Sequence, residues 1–238
     1  MNVSKAFKYL TCERGINITK RTIRRVYHEM RKIISKYFKI IYQSELLGPL
    51  NGNGYYSVDE SLINHYQGHQ VWLLGIRDNN NKDFRVEGSF KRDTRTMEAF
   101  ITNYVEKGNH IVTDGWEAYD FLDNFNSGYI RHKHIHGNGD FGLGQESTSY
   151  VESLWGLLKA KLKECYHSVP ANIFMLFVKE QEFKIKYNNL SFEERIDKFF
   201  EAFNLSEEVE DVYLKSSFNY FIPDNLDNYN SGDEDIEE

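Results

Sequence analysis

Apolar side chains recur along the chain with two different periods, and these periods predict its helices and strands. Between Ser149 and Lys163 they recur every three or four residues, as on one face of an amphipathic helix: Val151, Leu154, Trp155, Leu158 and Leu162. The same period predicts a helix from about Lys20 to Tyr42, with Thr19 as its N-cap. Shorter helices are predicted over residues 3–11, 94–105 (with Thr94 as candidate cap), 116–122, 171–187, 192–203 and 207–216.

Segments rich in β-branched and aromatic residues predict five strands, which cover residues 55–63, 70–77, 84–90, 110–113 and 129–135. Three strands come first, and strands then alternate with helices. The order β-β-β-α-β-α-β-α is that of an RNase H-like fold. We therefore predict the α/β class, with an RNase H-like mixed sheet flanked by helices. A small helical region of the helix-turn-helix type precedes the sheet.

Composition divides the chain into five regions. Residues 48–54 contain three Gly and one Pro and predict a linker between a helical region at 1–47 and an α/β domain at 55–205. A helical extension is predicted at 206–222. Residues 223–238 are rich in Asp, Glu and Asn, which predicts a disordered acidic tail.

The formal net charge of -7 conceals two ends of opposite charge. Residues 1–40 carry eleven Lys and Arg against two Glu, whereas the segment from Ser191 onward carries fifteen acidic and three basic residues. Arginines near the start of the second helix favour contact with DNA phosphates: Arg21, Arg24, Arg25 and Arg31. An ordinary solvated helix face is the alternative for this group.

Cysteine content and hydropathy exclude several classes of protein. Cys12 and Cys165 are too few for a disulfide framework or a Cys-rich zinc site. The N-terminus lacks the apolar core of a signal peptide, and the longest apolar run, Ile173 to Val178, is too short to span a bilayer. We therefore expect an intracellular protein that does not associate with a membrane.

Three acidic residues are placed where they can hold a divalent metal. Asp59 lies in the first strand, Asp114 follows the fourth, and Glu152 lies near the start of the helix at 149–163. Strands one and four are neighbours in an RNase H-like sheet, so Asp59 and Asp114 are expected to lie close together. Carboxylate oxygens suit hard cations, and a site with two ions drives in-line attack on a phosphodiester. For Glu152 alone, stabilisation by the helix dipole is an equally good explanation.

The segments around these residues resemble the three catalytic blocks of a DDE transposase. They read VDES, VTDGWEAY and YVESLWGLLK, and they are most similar to the Merlin group and related bacterial insertion sequences with an ISXO2-like transposase domain. The similarity covers roughly Tyr55 to Asn189. Many relatives also carry an N-terminal zinc ribbon, for which this sequence has no residues. The matching positions are Asp59 and Glu60, then Thr113, Asp114, Trp116, Ala118 and Tyr119, then Glu152, Ser153, Trp155, Leu158 and Lys159.

This resemblance implies a metal-dependent transposase that cleaves DNA and transfers the freed strand. Asp59, Asp114 and Glu152 would be its catalytic and metal-binding residues, with two Mg²⁺ or Mn²⁺ ions and with Asp59 bridging both. It implies transposon ends and target DNA as partners, a homo-oligomer as the active form, and a location in the nucleus of a eukaryote or otherwise in the cytoplasm. A domesticated, non-catalytic DNA-binding protein and an RNase H-like nuclease remain as alternative functions.

Other residues near the three blocks have two interpretations each. Glu60 follows Asp59 on a strand and is expected to point to the opposite face, which leaves it at most an auxiliary role. His136 resembles the "V-N-H" element of the family and would contact metal or phosphate, but it also continues an alternating row with His132 and His134 that is typical of a solvent-facing strand. On the helix, two lysines either follow a DNA backbone or form a solvated face: Lys159 and Lys163.

Overall fold

A five-stranded mixed sheet forms the centre of the molecule in the computed structural model, which describes residues 3–49, 52–66, 68–135, 142–165 and 171–207. In space the strands follow the order β3-β2-β1-β4-β5. The strands β1, β2 and β3 form antiparallel pairs, and β4 and β5 run parallel to β1. This is the predicted RNase H-like sheet. Its strands are β1 (Tyr55–Tyr66), β2 (His69–Asp78), β3 (Phe84–Ser89), β4 (His110–Thr113) and β5 (Ile130–Lys133).

Within these ranges, six α-helices surround the sheet: α1 (Val3–Lys8), α2 (Lys20–Ser44), α3 (Thr94–Tyr104), α4 (Ser149–Cys165), α5 (Ala171–Lys186) and α6 (Phe192–Glu207). A π-helical turn continues α1 over Tyr9–Glu13, and 3-10 turns cover Glu117–Asp123, Phe125–Ser127 and Gly144–Glu146. The predicted cap of α2 is confirmed, because Thr22 N donates to Thr19 Oγ1 at 3.1 Å. The predicted cap of α3 is wrong: Asp93 accepts from Thr96 N at 2.9 Å, so the helix begins at Thr94 itself.

Alternate residues of β1 enter two separate apolar cores, one on each face of the sheet. Tyr56 and Val58 join the core that α3 and the 3-10 turn at 117–123 cover. The opposite face packs against α4 and α5 through a second core, which includes Leu73 and Trp155. Because side chains alternate along a strand, Asp59 faces α4 and Glu60 faces the other core. The two neighbouring carboxylates therefore lie on opposite faces of the sheet, in different surroundings.

The N-terminal helix α2 packs against α5 and α6 in a third apolar cluster built around Phe38. Buried polar groups join it there: Tyr42 Oη donates to Glu182 Oε1 at 2.6 Å, and Lys179 lies 2.9 Å from Glu182 Oε2. The predicted DNA-binding region at 1–47 is therefore in close contact with helices of the predicted α/β domain.

Both ends of the predicted linker at 48–54 are fixed to the sheet domain. Leu47 N donates to Tyr104 O at 2.7 Å, and Gly54 N donates to Asn109 Oδ1 at 2.9 Å. Gly48 has a φ of +105°, and a Cβ there would lie 2.6 Å from Asn109 Nδ2, so glycine is required at this position.

Several predictions fall outside the described residues. They concern His136, most of the extension at 206–222 and the whole tail at 223–238. Within the described part of the chain, no helix is both long enough and apolar enough to cross a bilayer.

Candidate active site

Asp59 of β1 and Asp114, the residue directly after β4, lie at equivalent positions relative to the pairing of these two parallel strands. The register pairs Tyr55 with His110 and Ser57 with Val112. Asp59 and Asp114 each come two residues after the last pair, so extending the register by two residues sets them level with each other at the end of β4. Neighbouring strands lie about 4.8 Å apart, which is close enough for two carboxylates to share an ion. The predicted proximity of strands one and four is therefore present in the sheet.

Helix α4 covers Asp59 and brings Glu152 to the same face of the sheet. Trp155, one turn after Glu152, donates from its indole Nε1 to Asp59 Oδ2 at 2.8 Å. Opposite Asp59 on β2 stands Gly75, where a Cβ would lie 2.5 Å from the Trp155 ring. A larger residue at this position would push the indole away. The contact thus needs a glycine on β2, an aspartate on β1 and a tryptophan on α4.

The start of α4 is held by its own set of hydrogen bonds. Arg77 Nη1 of β2 donates to Tyr150 O at 2.7 Å and to Ser153 Oγ at 2.5 Å. Thr148 Oγ1 donates to Glu152 Oε1 at 3.1 Å. Glu152 is half-buried in the first turn of the helix, where the helix dipole favours a carboxylate.

The carboxylate of Asp114 is oriented by the turn that follows β4. Its Oδ1 accepts from Trp116 N at 2.9 Å, and its backbone carbonyl accepts from Arg131 Nη2 at 3.3 Å. Arg131 also donates from Nε to Thr113 Oγ1 at 3.1 Å, which joins β5 to the end of β4. The backbone therefore fixes one Asp114 oxygen, while Oδ2 accepts no hydrogen bond from the described residues.

Burial raises the pKa of Asp59 to about 7, and the nearby carboxylates of Glu60 and Asp114 act in the same direction. The hydrogen bond from Trp155 opposes this rise, because an N–H donor stabilises the charged form. Burial likewise raises the pKa of Glu60, against its bonds to Tyr119 and Arg92. On the α4 side of the sheet, Asp59 and Asp114 thus supply hard oxygen atoms, and such donors fit a divalent cation of the Mg²⁺ or Mn²⁺ type.

Two of the three predicted ligands lie at equivalent positions when the strand register is extended. Asp59 and Asp114 are neighbours through strand register, and Glu152 lies on the helix that packs over Asp59. Among the described residues, no group of three or more His, Cys, Asp and Glu side chains forms a complete metal cage. The assignment of Asp59, Asp114 and Glu152 as a metal-binding triad remains a prediction.

Glu60 lies on the opposite face of β1, as the strand period predicts. It accepts from Tyr119 Oη at 2.8 Å and from Arg92 Nη1 at 3.0 Å. The Arg92 guanidinium stacks between Trp72 and Trp116, at 4.1 Å and 4.5 Å from the ring centroids. Glu60 therefore connects β1 to the segment that follows Asp114. This connection lies on the face of the sheet opposite Asp59.

Sequence reasoning missed Gly75 and Arg92, which shape this site, and it missed the hydrogen bond that Trp155 makes there. The helical period correctly predicted that Trp155 is buried, but it carried no signal of the bond to Asp59. The glycine in the otherwise apolar strand QVWLLGIR was the available signal, because a glycine within a strand often marks a close approach by another group.

The predicted solvent-facing row of histidines is wrong for His132. His132 Nε2 lies 2.8 Å from His110 Nδ1, and its other ring nitrogen lies 3.4 Å from Glu146 Oε2. Tyr55 stacks on His110 with ring centroids 4.2 Å apart. His132 therefore lies in a packed cluster on the Asp59 side of the sheet.

The predicted DNA-binding residues differ in their exposure. Arg21, Arg24 and Arg25 are exposed on α2, and Lys159 is exposed on α4, while the side chain of Lys163 is outside the described residues. Arg31, in contrast to these exposed residues, is largely buried, with 11% of its side chain exposed. Its Nε lies 2.6 Å from Glu180 Oε2, and its guanidinium stacks 3.9 Å from the Phe177 ring centroid. Arg31 thus holds α2 on α5.

Solved structures similar to this chain include retroviral integrases. A chain of the simian T-cell lymphotropic virus intasome in complex with the PP2A regulatory subunit B56 gamma is 16% identical, with a TM-score of 0.37 over 65% of this chain. The present chain spans about half, 49%, of that chain. The HTLV-2 integrase catalytic core domain in complex with magnesium is 17% identical, with a TM-score of 0.33 over 65% of this chain and 86% of its own. The catalytic core domain of BIV integrase is 15% identical, with a TM-score of 0.35 over 54% of this chain and 80% of its own.

Sequence comparisons give one family. No curated protein matches the sequence. The model of the ISXO2-like transposase domain matches residues 51–186, which is more than half of the chain and includes Asp59, Asp114 and Glu152 with all three motif blocks. The chain therefore belongs to the ISXO2-like transposase domain family.

Proposed function

We propose that this protein is a DDE transposase that cleaves and joins DNA with the help of divalent metal. The observation that carries the proposal is the pairing of β1 with β4, which sets Asp59 level with Asp114 directly after β4, together with the contact of Asp59 with the helix that bears Glu152. Family membership supports the same activity.

Asp59, Asp114 and Glu152 would hold two Mg²⁺ or Mn²⁺ ions. When bound, such ions lower the pKa of the attacking hydroxyl and stabilise charge on the leaving oxygen. The chain itself supplies orientation: Trp155 fixes the rotamer of Asp59, and the turn at Trp116 fixes that of Asp114. Because both carboxylates are held before metal arrives, less conformational freedom is lost on binding.

The substrates in this proposal are transposon ends and target DNA, and the active form is a homo-oligomer. Exposed cations on α2 and α4 would contact phosphates: Arg21, Arg24, Arg25 and Lys159. Chromosomal DNA as the substrate locates the activity in the nucleus of a eukaryote or the cytoplasm of a prokaryote.

The test first looks for terminal inverted repeats in the DNA that flanks the gene and then uses duplex oligonucleotides copied from them, with MgCl₂ and with EDTA. Wild type should nick the repeat end and join the freed 3′ end to a target plasmid, only with metal. Asp59→Asn should abolish both steps and remain folded by circular dichroism. Asp197→Asn, at an exposed aspartate on α6, is the matched control and should keep full activity.

Other outcomes would replace the proposal. Binding of the repeat ends without cleavage by wild type would favour a domesticated DNA-binding protein. Cleavage without joining would favour an RNase H-like nuclease.

A further inference from the structure

Helix α6 carries apolar side chains on two sides. One side packs in the third apolar cluster through Ala202, with Phe199 and Leu205 beside it. The other side presents large apolar residues at helical spacing, and these are substantially exposed: Phe192 (66%), Ile196 (38%), Phe200 (58%) and Phe203 (37%). Within the described residues, one apolar side of this helix is therefore packed and the other is largely exposed.

The exposed side of α6 borders a groove shared with the first half of α2. Phe200 and Phe203 line one wall, and Val26, Met30 and Ile33 line the other. The cavity measures about 470 Å³, and Val26 is 49% exposed. Clustered apolar residues of this kind on a surface usually mark a site where another chain segment or protein packs.

The chain itself continues from the edge of this groove. Phe203 is four residues before the end of α6 at Glu207, so the helix ends about one turn beyond the groove, and 31 residues follow in the sequence. The first part of that segment is strongly apolar, with Val209, Val212, Tyr213, Leu214, Phe218, Tyr220, Phe221 and Ile222. Val209, Val212 and Tyr213 recur at the helical spacing of three and four. A stripe suited to the groove thus begins directly after the helix that forms one of its walls.

The start of the segment is acidic, whereas two basic residues of α2 lie in or beside the groove. Glu207 ends α6, and three acids lie at the start of the following segment: Glu208, Glu210 and Asp211. Arg25 and Glu29 of α2 are the charged residues among those that line the groove, and Arg24 is exposed beside Arg25 on the same helix. Opposite charges at the rim would favour one orientation of the segment over the reverse.

We propose that residues 209–222 fold back and fill the groove between α2 and α6 of the same molecule. The covalent connection gives the segment a local concentration in the millimolar range, which a second copy of the chain does not match at ordinary protein concentrations. The segment buries its own apolar residues and the exposed side of α6 in one step.

Hydrogen exchange measured by mass spectrometry on the full chain tests this proposal. In wild type, amides within residues 209–222 should exchange about tenfold or more slowly than in an unstructured peptide. The double variant Val26→Glu with Met30→Glu puts charge into the groove and should abolish this protection. Phe125→Glu, at a residue that is 97% exposed and outside the groove, is the matched control and should leave it intact.

A second variant covers the case in which the groove substitutions disturb α2. Val212→Glu with Leu214→Glu alters only the segment, and it should abolish the protection of residues 209–222 while α2 amides keep their wild-type exchange. Exchange of residues 209–222 at the unstructured rate in wild type would overturn the proposal, as would protection that survives both double variants. Protection that disappears on dilution over about a hundredfold would show that a second copy fills the groove, and this too would overturn it.

Discussion

The indole of Trp155 donates a hydrogen bond to the carboxylate of Asp59, with Nε1 and Oδ2 2.8 Å apart. The bond connects α4 to the central strand of the sheet. Glu152 precedes Trp155 by one helical turn, so the same helix carries a predicted metal ligand and the donor that holds another. A change at Trp155 is therefore expected to affect metal binding as well as packing.

Trp155→Phe keeps an aromatic ring beside Gly75 and removes the N–H donor. We expect Mg²⁺ affinity to fall about tenfold or more, because loss of a group that orients a ligand costs about 10–100-fold. Isothermal titration with MgCl₂ measures this directly. Trp72→Phe, at a buried tryptophan in the other core, should leave the affinity unchanged. Equal affinities for Trp155→Phe and wild type would reduce Trp155 to a packing role.

The pKa of Asp59 predicts how stability depends on pH. Its folded pKa of about 7 is above its ordinary value of 3.8, so the folded protein holds this proton more tightly than the unfolded chain. The free energy of unfolding should therefore fall by an amount on the order of a few kcal/mol as pH rises from about 4 to 7. At higher pH it should level off.

Urea denaturation of wild type and Asp59→Asn in EDTA isolates this contribution. The free energy of unfolding of the variant minus that of wild type should be larger at pH 8 than at pH 5, because asparagine cannot ionise. A constant difference between the two proteins at both pH values would contradict the assignment. Addition of MgCl₂ at pH 8 should stabilise wild type and have little effect on the variant.

The variant Glu60→Gln tests whether the Glu60 carboxylate has a structural role or binds metal. A neutral glutamine side chain cannot accept charge-assisted bonds from both Arg92 and Tyr119, so the free energy of unfolding should fall by about 1–2 kcal/mol. The pH midpoint of the Asp59 effect should also move to lower pH, because Glu60 raises the pKa of Asp59. Mg²⁺ affinity at pH 8, measured by calorimetry, should stay at the wild-type value. A loss as large as that of Asp59→Asn would make Glu60 a ligand.

The arginines of α2 should fall into two groups when DNA binding is measured against salt. Replacing Arg21, Arg24 and Arg25 with Gln should reduce the slope of log affinity against log salt by about 0.9 for each phosphate that the protein no longer neutralises. Arg31→Gln should leave the slope unchanged and lower the free energy of unfolding by about 1–3 kcal/mol, because Glu180 loses a partner in a largely buried pair. An unchanged slope in the triple variant would show that these residues form a solvated face.

Removal of residues 223–238 tests whether the acidic tail competes with DNA. The tail carries seven acidic residues and no basic ones. We expect its deletion to tighten binding to random duplex at low salt, with a gain that fades as salt screens the charges. A chain of equal length with Asn and Gln in place of the acids is the matched control and should behave like the deletion. Equal affinity of all three proteins at low salt would leave the tail a solubilising role only.

Local patterns in the sequence were enough to predict the element order and the RNase H-like class. Strand and helix periods depend on residues a few positions apart, so the five strands, α2 with its Thr19 cap, and α4 are predictable from short windows. The three motif blocks indicated the family in the same way, because their residues are close neighbours in sequence. Boundaries that depend on a single hydrogen bond were less predictable, as the cap at Asp93 shows.

Contacts between distant segments were decided only by the tertiary structure. The bond from Trp155 to Asp59 joins residues 96 positions apart, and the pair of Arg31 with Glu180 joins residues 149 positions apart. A periodic pattern shows which face of a helix or strand is apolar, but it does not show which element packs on that face or in which register. Strand register therefore set Asp59 beside Asp114, and helix packing buried Arg31 while it left Arg24 and Arg25 exposed.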